Sequence, residues 1–420
     1  MKTSIVKAAI FTPAGRGRWG LPILAWGEPG VAKTAIVEEL AALYALPVEV
    51  LSPGERGEGA FGVVPVPGAS TSEIDRIREE FARSVSDPVE LAKAVDAMVR
   101  LLPTTLHYPR PDWVDKIDAG GIVFVDELPT APPALQAPLL GLILARRIGG
   151  HKLGPRVRVL GAGNPPELSA GGFDIGAALS NRVCHLDWGR PSVPEHVAYM
   201  LRGDLDALPV AEFDAEAEEA RVEKLWPDVF ARARGLEIAF LQARPSLKNQ
   251  CPKAGDPAAQ RGWPSDRSWE NATRARASAD VHGLDAEARE EFVAGFIGAG
   301  AASEWAAFEE LQDLADPAKV LDGAEKFKHE PSRLDRTAAL LAGCAALVTP
   351  SNAAKREDRT QALWALLADL LGAKSDQDVM VPAVQALVAA KLHTVKGATK
   401  ALATIQPLLK AAGVRPGTEF

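Results

Sequence analysis

Gly27-Glu28-Pro29-Gly30-Val31-Ala32-Lys33-Thr34 decides the reading of this chain, because of what stands on either side of it. Before it runs LPILAW, Leu21 to Trp26, an apolar stretch of strand length. After it runs AIVEELAALYAL, in which Ile36, Val37, Leu40, Leu43 and Tyr44 recur at helical spacing. Strand, glycine-rich turn and helix are the context in which such a loop can cradle a phosphate. Its backbone N–H groups wrap the anion, and the following helix presents the positive end of its dipole. In this pattern Lys33 reaches the phosphate oxygens as a mobile point charge, and Thr34 offers a hydroxyl to Mg2+. Ala32 stands where the general pattern has glycine. As the smallest replacement it is accommodated if its φ is negative.

Further along, GIVFVDE brings two carboxylates, Asp126 and Glu127, to the end of a buried hydrophobic strand. Phosphoryl transfer asks for little more than positioning and charge neutralisation. Asp126 is therefore assigned to Mg2+ through water, and Glu127 to the attacking water. RVRVLGAGNPP is a third strand ending in a polar loop; Asn164 there can hold the water from the other side or sense the γ-phosphate. ALSNRVCHLDW reads as a helix end, a connector and a final strand; Arg182 in LSNRV sits just before that last strand and could enter a neighbouring copy's site to stabilise transition-state charge. Arg267, in WPSDRSWE, could close over the phosphates from a helical lid. Arg146, Arg147 and Arg244 are weaker basic candidates.

Val48 to Leu51 supplies one more short strand, residues 52–70 read as loop, and helices are expected from Ser72 to Arg83 and from Pro88 to Leu102. Strands rich in Ile, Val and Leu alternating with helices describe a mostly parallel α/β sheet, with all three motifs at its C-terminal edge. After Arg190 alanine-rich helical segments take over, such as DAEAEEARVEKLW, AREEFVAGFIGAG and DRTQALWALLADLLG. The expected organisation is a nucleotide-binding domain over 1–190, a helical lid over 191–300 and a further helical region over 301–420.

The chain has 420 residues, 47% of them hydrophobic and 24% charged, a balance that suits a soluble protein of two or three domains. A formal net charge of -8 argues against a duplex-coating protein, while leaving room for a ring whose central loops touch nucleic acid. Cys184, Cys251 and Cys344 are odd in number and far apart, so they read as buried thiols of a reducing compartment. The seven histidines show no metal-ligand spacing, and Trp113, Trp226, Trp263 and Trp269 read as packing anchors. Neither an export signal nor an apolar run long enough for a membrane span is present, which points to the cytoplasm.

GEPGVAKT, VFVDEL, GAGNPP, LSNRV and DRSW, in this order, resemble the MoxR-type AAA+ ATPases of bacteria and phages. The segment DWVDKIDAGGIVFVDELPTAPPALQAPLLGLILARRIG is also similar to the stretch around that family's acidic motif. The resemblance implies an αβα P-loop domain with a helical lid, Mg2+ and ATP as ligands, and assembly into a hexameric homo-oligomer. It also implies chaperone-like remodelling of a protein client, often beside a partner bearing a von Willebrand A domain. In that family alanine often precedes the lysine. The resemblance makes Asn164 the first sensor, Arg182 the finger and Arg267 the second sensor. Pro129-Thr130 departs from the polar Asn and the basic or small residue more usual there after that family's acidic pair. Two alternatives stand beside it: a nucleic-acid motor of helicase or packaging type, with the same core chemistry, and a nucleotide-dependent switch or scaffold without turnover, for which one of Asp126, Glu127 or Asn164 would be expected to be missing.

Overall fold

The computed structural model describes residues 2–56, 58–62, 64–69, 71–100, 105–165, 168, 175–202, 213–253, 255–310, 315–351, 353–372, 377–394 and 408–410. Residues 101–102, expected to end a helix, and Pro166 of the GNPP motif lie outside them. Contacts divide the chain into two compact units. One is Gly15–Ala215; the other joins Met1–Ala14 to Glu216–Phe420.

The first unit is built on five parallel strands: β1 (Ile23–Trp26), β2 (Val48–Leu51), β3 (Gly121–Val125), β4 (Val157–Gly163) and β5 (Cys184–Asp187). Their order across the sheet is β5-β1-β4-β3-β2. β1, β3 and β4 are buried along their whole length, as expected of strands covered on both faces. β2, at the edge, alternates instead. Its one buried carboxylate, Glu49, is answered by Arg56 at 2.9 Å and Lys116 at 3.3 Å.

Register fixes the geometry that matters. Gly163 pairs with Trp26, Gly161 with Val125, and Leu51 with Val125. The C-terminal tips of β1, β3 and β4 therefore lie side by side, although 99 and 38 residues of chain separate Trp26 from Val125 and Val125 from Gly163.

The helices of this unit are α2 (Lys33–Leu43), α3 (Thr71–Ala82), α4 (Pro88–Val99), α5 (Pro133–Ala145) and α6 (Val193–Met200), following α1 (Lys2–Ile10) of the other unit. α2 turns Val37, Leu40 and Ala41 inward and stops at Tyr44. α5 begins on Pro133, where a missing N–H costs nothing, continues through Pro138 and stops at left-handed Arg146. Its Leu135, Leu139, Leu142 and Ile143 join Val123, Val125, Val157 and Val159 in the core. Trp113 is 1% exposed and donates its indole N–H to Ala60 O at 2.8 Å, the packing anchor the sequence suggests.

The second unit is helical: α7 (Ala215–Ala243), α8 (Asp266–His282), α9 (Ala286–Ile297), α10 (Ala299–Glu310), α11 (Pro317–Leu321), α12 (Leu334–Val348), α13 (Arg356–Gly372) and α14 (Gln377–Ala389). α1 packs here, against α8 and α9. Ile5, Ala8, Ala9 and Ile10 are fully buried, and Ser278 Oγ donates to Ala8 O at 2.9 Å. Trp269 is 1% exposed beside Phe240 and Trp305. A second core gathers Leu340, Leu363, Trp364, Leu367, Val384 and Leu387. The architecture is an AAA+-like αβα domain with a large helical region after it.

Cys184 and Cys344 are buried thiols, and burial pushes the Cys344 thiol far up. Cys251 corrects the expectation of three buried thiols: it is exposed, in the irregular segment before α8. Among the described residues no helix is long and apolar enough to cross a membrane.

Candidate active site

The glycine-rich loop leaves β1 under close constraint. Gly27 N donates to Gly163 O at 3.1 Å, tying the loop to the tip of β4. A Cβ on Gly27 would lie 2.8 Å from Trp188 O, so no larger residue fits there. Glu28, Pro29 and Gly30 form the outer crest, Gly30 with φ 81°, and Val31 turns back inside at 5% exposure.

Ala32 follows at φ 57°, ψ 34°. The condition under which alanine would fit without cost, a negative φ, is not met: the chain takes a left-handed step directly before α2. A β-carbon in that region costs about 1–2 kcal/mol, which the loop tolerates to enter the helix at this angle. No side chain caps α2, and no acidic residue occupies its first turn. Its leading N–H groups are thus left for an external anion.

Four of the residues singled out from sequence converge on the strand tips. Lys33 Nζ donates to Gly27 O at 2.9 Å, Glu28 O at 3.0 Å and Asn164 Oδ1 at 3.0 Å. Thr34 Oγ1 donates to Asp126 Oδ2 at 2.5 Å. Asp126 N donates to Leu51 O at 2.9 Å, so β2 helps to set the end of β3. Burial holds the Lys33 ammonium below its ordinary pKa of 10.5, while Asp126 and Glu127 pull it back up. Glu127 is exposed, just beyond the tip, in the left-handed region at φ 52°.

The pairing of Thr34 with Asp126 offers two hard oxygen ligands in contact. That fits Mg2+, which keeps most of its waters and takes phosphate oxygens rather than demanding an all-protein cage. Among the described residues no cluster of three or more His, Cys, Asp or Glu is placed to hold a metal ion.

The arginines are not part of this convergence. Arg182 lies before the start of β5, the end opposite the tips, and donates to Ala178 O at 2.6 Å. Arg267 is an exposed residue in the first turn of α8, in the helical unit. Arg146 is buried, donates to Gly20 O at 2.8 Å, and is lowered to about 9 by burial and by Arg18 and Arg158. That is a position inside the wall of the domain. Arg147 is exposed on the short strand after α5, and Arg244 pairs loosely with Glu304 at 3.7 Å.

Two contacts were not legible beforehand. Arg190 reaches back from beyond β5 to Glu28, its Nε 2.7 Å from Oε2, so the crest of the loop carries an ion pair. The only sequence signal was a basic residue shortly after the last strand. Trp26 Nε1 donates to His185 Nδ1 at 2.8 Å, which leaves the proton on Nε2 to donate to Ser180 O at 2.9 Å. β1 is thereby bolted to β5 through a neutral imidazole.

Pro129, the departure noted from sequence, packs on the third tip. A Cβ on Gly163 would lie 2.5 Å from Pro129 Cγ and Cδ, so this pyrrolidine ring occupies the space a side chain would need, one residue before Asn164.

No protein-family model matches the chain. No curated protein matches it either. Among solved structures it is similar to a candidate ATPase from Cytophaga hutchinsonii, at 14% identity and a TM-score of 0.44, covering 70% of this chain and 80% of that one.

Proposed function

We propose that this chain is a Mg2+-dependent ATPase of the MoxR-like AAA+ type, acting as a homo-oligomeric ring that remodels a protein client. One observation carries the reading: the Lys33 ammonium, the Thr34–Asp126 pair and the Asn164 carboxamide gather where three strand tips and an uncapped helix meet. A lysine held by two carbonyl oxygens of its own loop and by Asn164 Oδ1 stands where phosphate oxygens could replace those acceptors.

Each residue then has a task. The α2 amides and Lys33 hold the β- and γ-phosphates. Thr34 and Asp126 would hold Mg2+, whose contribution is to neutralise the developing charge. Glu127 orients the attacking water and takes up its proton as oxygen bonds to the γ-phosphorus and the bond to ADP breaks. Asn164 flanks the same water. Arg182, half-buried at the other end of β5, would complete a neighbouring copy's site, and Arg267 would serve as second sensor. Ring size, the von Willebrand A partner and the client belong to this proposal on the strength of the motif order alone.

The test pairs Glu127→Gln with Lys33→Ala. Glu127→Gln should keep Mg2+-dependent binding of a fluorescent ATP analogue and lose steady-state turnover by about a hundredfold or more. Lys33→Ala should lose binding. Unchanged phosphate release in the Glu127→Gln protein would end the assignment. Native mass analysis with and without a non-hydrolysable ATP analogue tests the ring.

A further inference from the structure

The turn after the acidic pair is held more firmly than a connection between a strand and a helix requires. Glu127 adopts φ 52° and ψ 40°, a region that residues with a β-carbon seldom enter. Both of its backbone polar groups are engaged. Its N–H donates to Asp126 Oδ1 at 2.9 Å, and its carbonyl accepts from Thr130 N at 2.8 Å and from Thr130 Oγ1 at 2.7 Å. Its carboxylate is different: exposed, and felt by Lys33 only through its charge.

The two bonds from Thr130 are not equivalent in origin. The backbone N–H would close this turn whatever residue stood at 130, proline excepted. The hydroxyl is the contribution specific to the side chain, and β-branching gives it few rotamers in which to be lost. Thr130 Oγ1 also stands 3.7 Å from the point a Cβ on Gly54 would occupy, so the short helical turn Pro53–Arg56 after β2 is its neighbour. Pro129 meanwhile fills the space over Gly163. A relaxation of Glu127 toward the right-handed region would swing its side chain off the line of β3. The turn blocks that swing at its carbonyl.

We propose that Thr130 is the positioning residue for the water-orienting carboxylate: its hydroxyl clamps the Glu127 carbonyl, keeps Glu127 left-handed, and so aims the carboxylate over the strand tip. The inference rests on the hydrolytic reading above. It adds that a hydroxyl three residues beyond Glu127, acting through the backbone, sets the direction of the carboxylate.

The experiment compares Thr130→Val, Thr130→Ser and Glu127→Gln in the full-length protein, reading kcat, Kd for Mg-ATP and melting temperature on the same preparations. Thr130→Val keeps shape and the backbone bond but deletes the hydroxyl. Its kcat should fall by about tenfold, the scale on which small misplacements act, with Kd changed less than twofold. Thr130→Ser should recover most of the rate. In a Glu127→Gln background, Thr130→Val should lower the residual rate no further. If Thr130→Val lowers melting temperature while kcat stays at the wild-type value, the hydroxyl is a turn brace only and the proposal is overturned. A Thr130→Val protein that does not fold shifts the decision to Thr130→Ala against Thr130→Ser, where equal kcat overturns it. If the wild-type protein has no Mg2+-dependent ATPase, the hydrolytic reading itself fails. That result is distinct from an active wild type whose Thr130 variants are equally active.

Discussion

The two ends of α2 offer a matched pair of substitutions. Ala32 precedes the helix at φ 57° and Ala45 follows it at φ 52°, both left-handed. Ala45 closes the helix as a C-terminal turn should, with Ala45 N donating to Ala42 O and Leu46 N to Ala41 O. Replacing either by glycine removes about 1–2 kcal/mol of steric cost. Against that, glycine widens the unfolded ensemble by about 0.4–1 kcal/mol. Ala32→Gly and Ala45→Gly should therefore each stabilise the Gly15–Ala215 unit by roughly 0.5–1 kcal/mol, a rise of about 2 °C in the melting transition of a unit this size. Scanning calorimetry reads both. Function separates them, because only Ala32 stands at the phosphate loop. Ala32→Gly should change Mg-ATP affinity, and Ala45→Gly should leave it as it is. A destabilised Ala32→Gly protein beside a stabilised Ala45→Gly protein would refute the left-handed entry to α2.

Lys33 gives a pH prediction whose sign follows from burial. With its folded pKa below 10.5, the unfolded chain holds more protons than the folded one between the two values, so the cost of burying this ammonium is relieved as pH rises through that window. Phosphate binding needs the charged form. Mg-ATP affinity should consequently decline on the alkaline side before an ordinary lysine would titrate, with proton uptake on binding measurable by calorimetry in buffers of different ionisation enthalpy; a flat profile up to 10.5 counts against it. Arg190→Ala should cost little stability, since the Glu28 pair is exposed, but should weaken ATP binding about two- to fivefold by leaving Glu28 uncompensated beside the phosphates. Adding Glu28→Gln should restore it, and failure to do so would separate the pair from the site. Trp26→Phe deletes the donor to His185 Nδ1 and should destabilise the domain by about 1–3 kcal/mol, measured by denaturant unfolding; a neutral effect would mean the imidazole finds another partner.

Sequence carried the central strands β1, β3 and β4 because they are covered on both faces and so read as largely apolar runs, and it offered the candidate site because chemistry restricts Lys33, Thr34, Asp126 and Asn164 to few alternatives. Backbone conformation was less accessible. Nothing in the order of side chains told that Ala32 and Glu127 would both be left-handed, since alanine and glutamate ordinarily avoid that region. The pairs Glu28–Arg190 and Trp26–His185 join residues 162 and 159 apart, and only the strand order that lays β5 beside β1 brings them together. Pro129-Thr130 read as a departure from a motif. Its physical sense, a ring over Gly163 and a hydroxyl on Glu127, depends on contacts no local pattern encodes.

The placement of α1 has a consequence for how the molecule is made. Its apolar side is finished by α8 and α9, which emerge from the ribosome more than 250 residues later. Burying Ile5, Val6, Ile10 and Phe11 is worth about 1.5–3 kcal/mol each, so during translation the leading segment carries a sticky surface that waits for its acceptor. A truncated polypeptide ending near 215 would inherit that surface permanently. Beginning such a fragment at Gly15 removes it, and the difference in solubility between the two fragments would measure what the waiting helix costs a nascent chain.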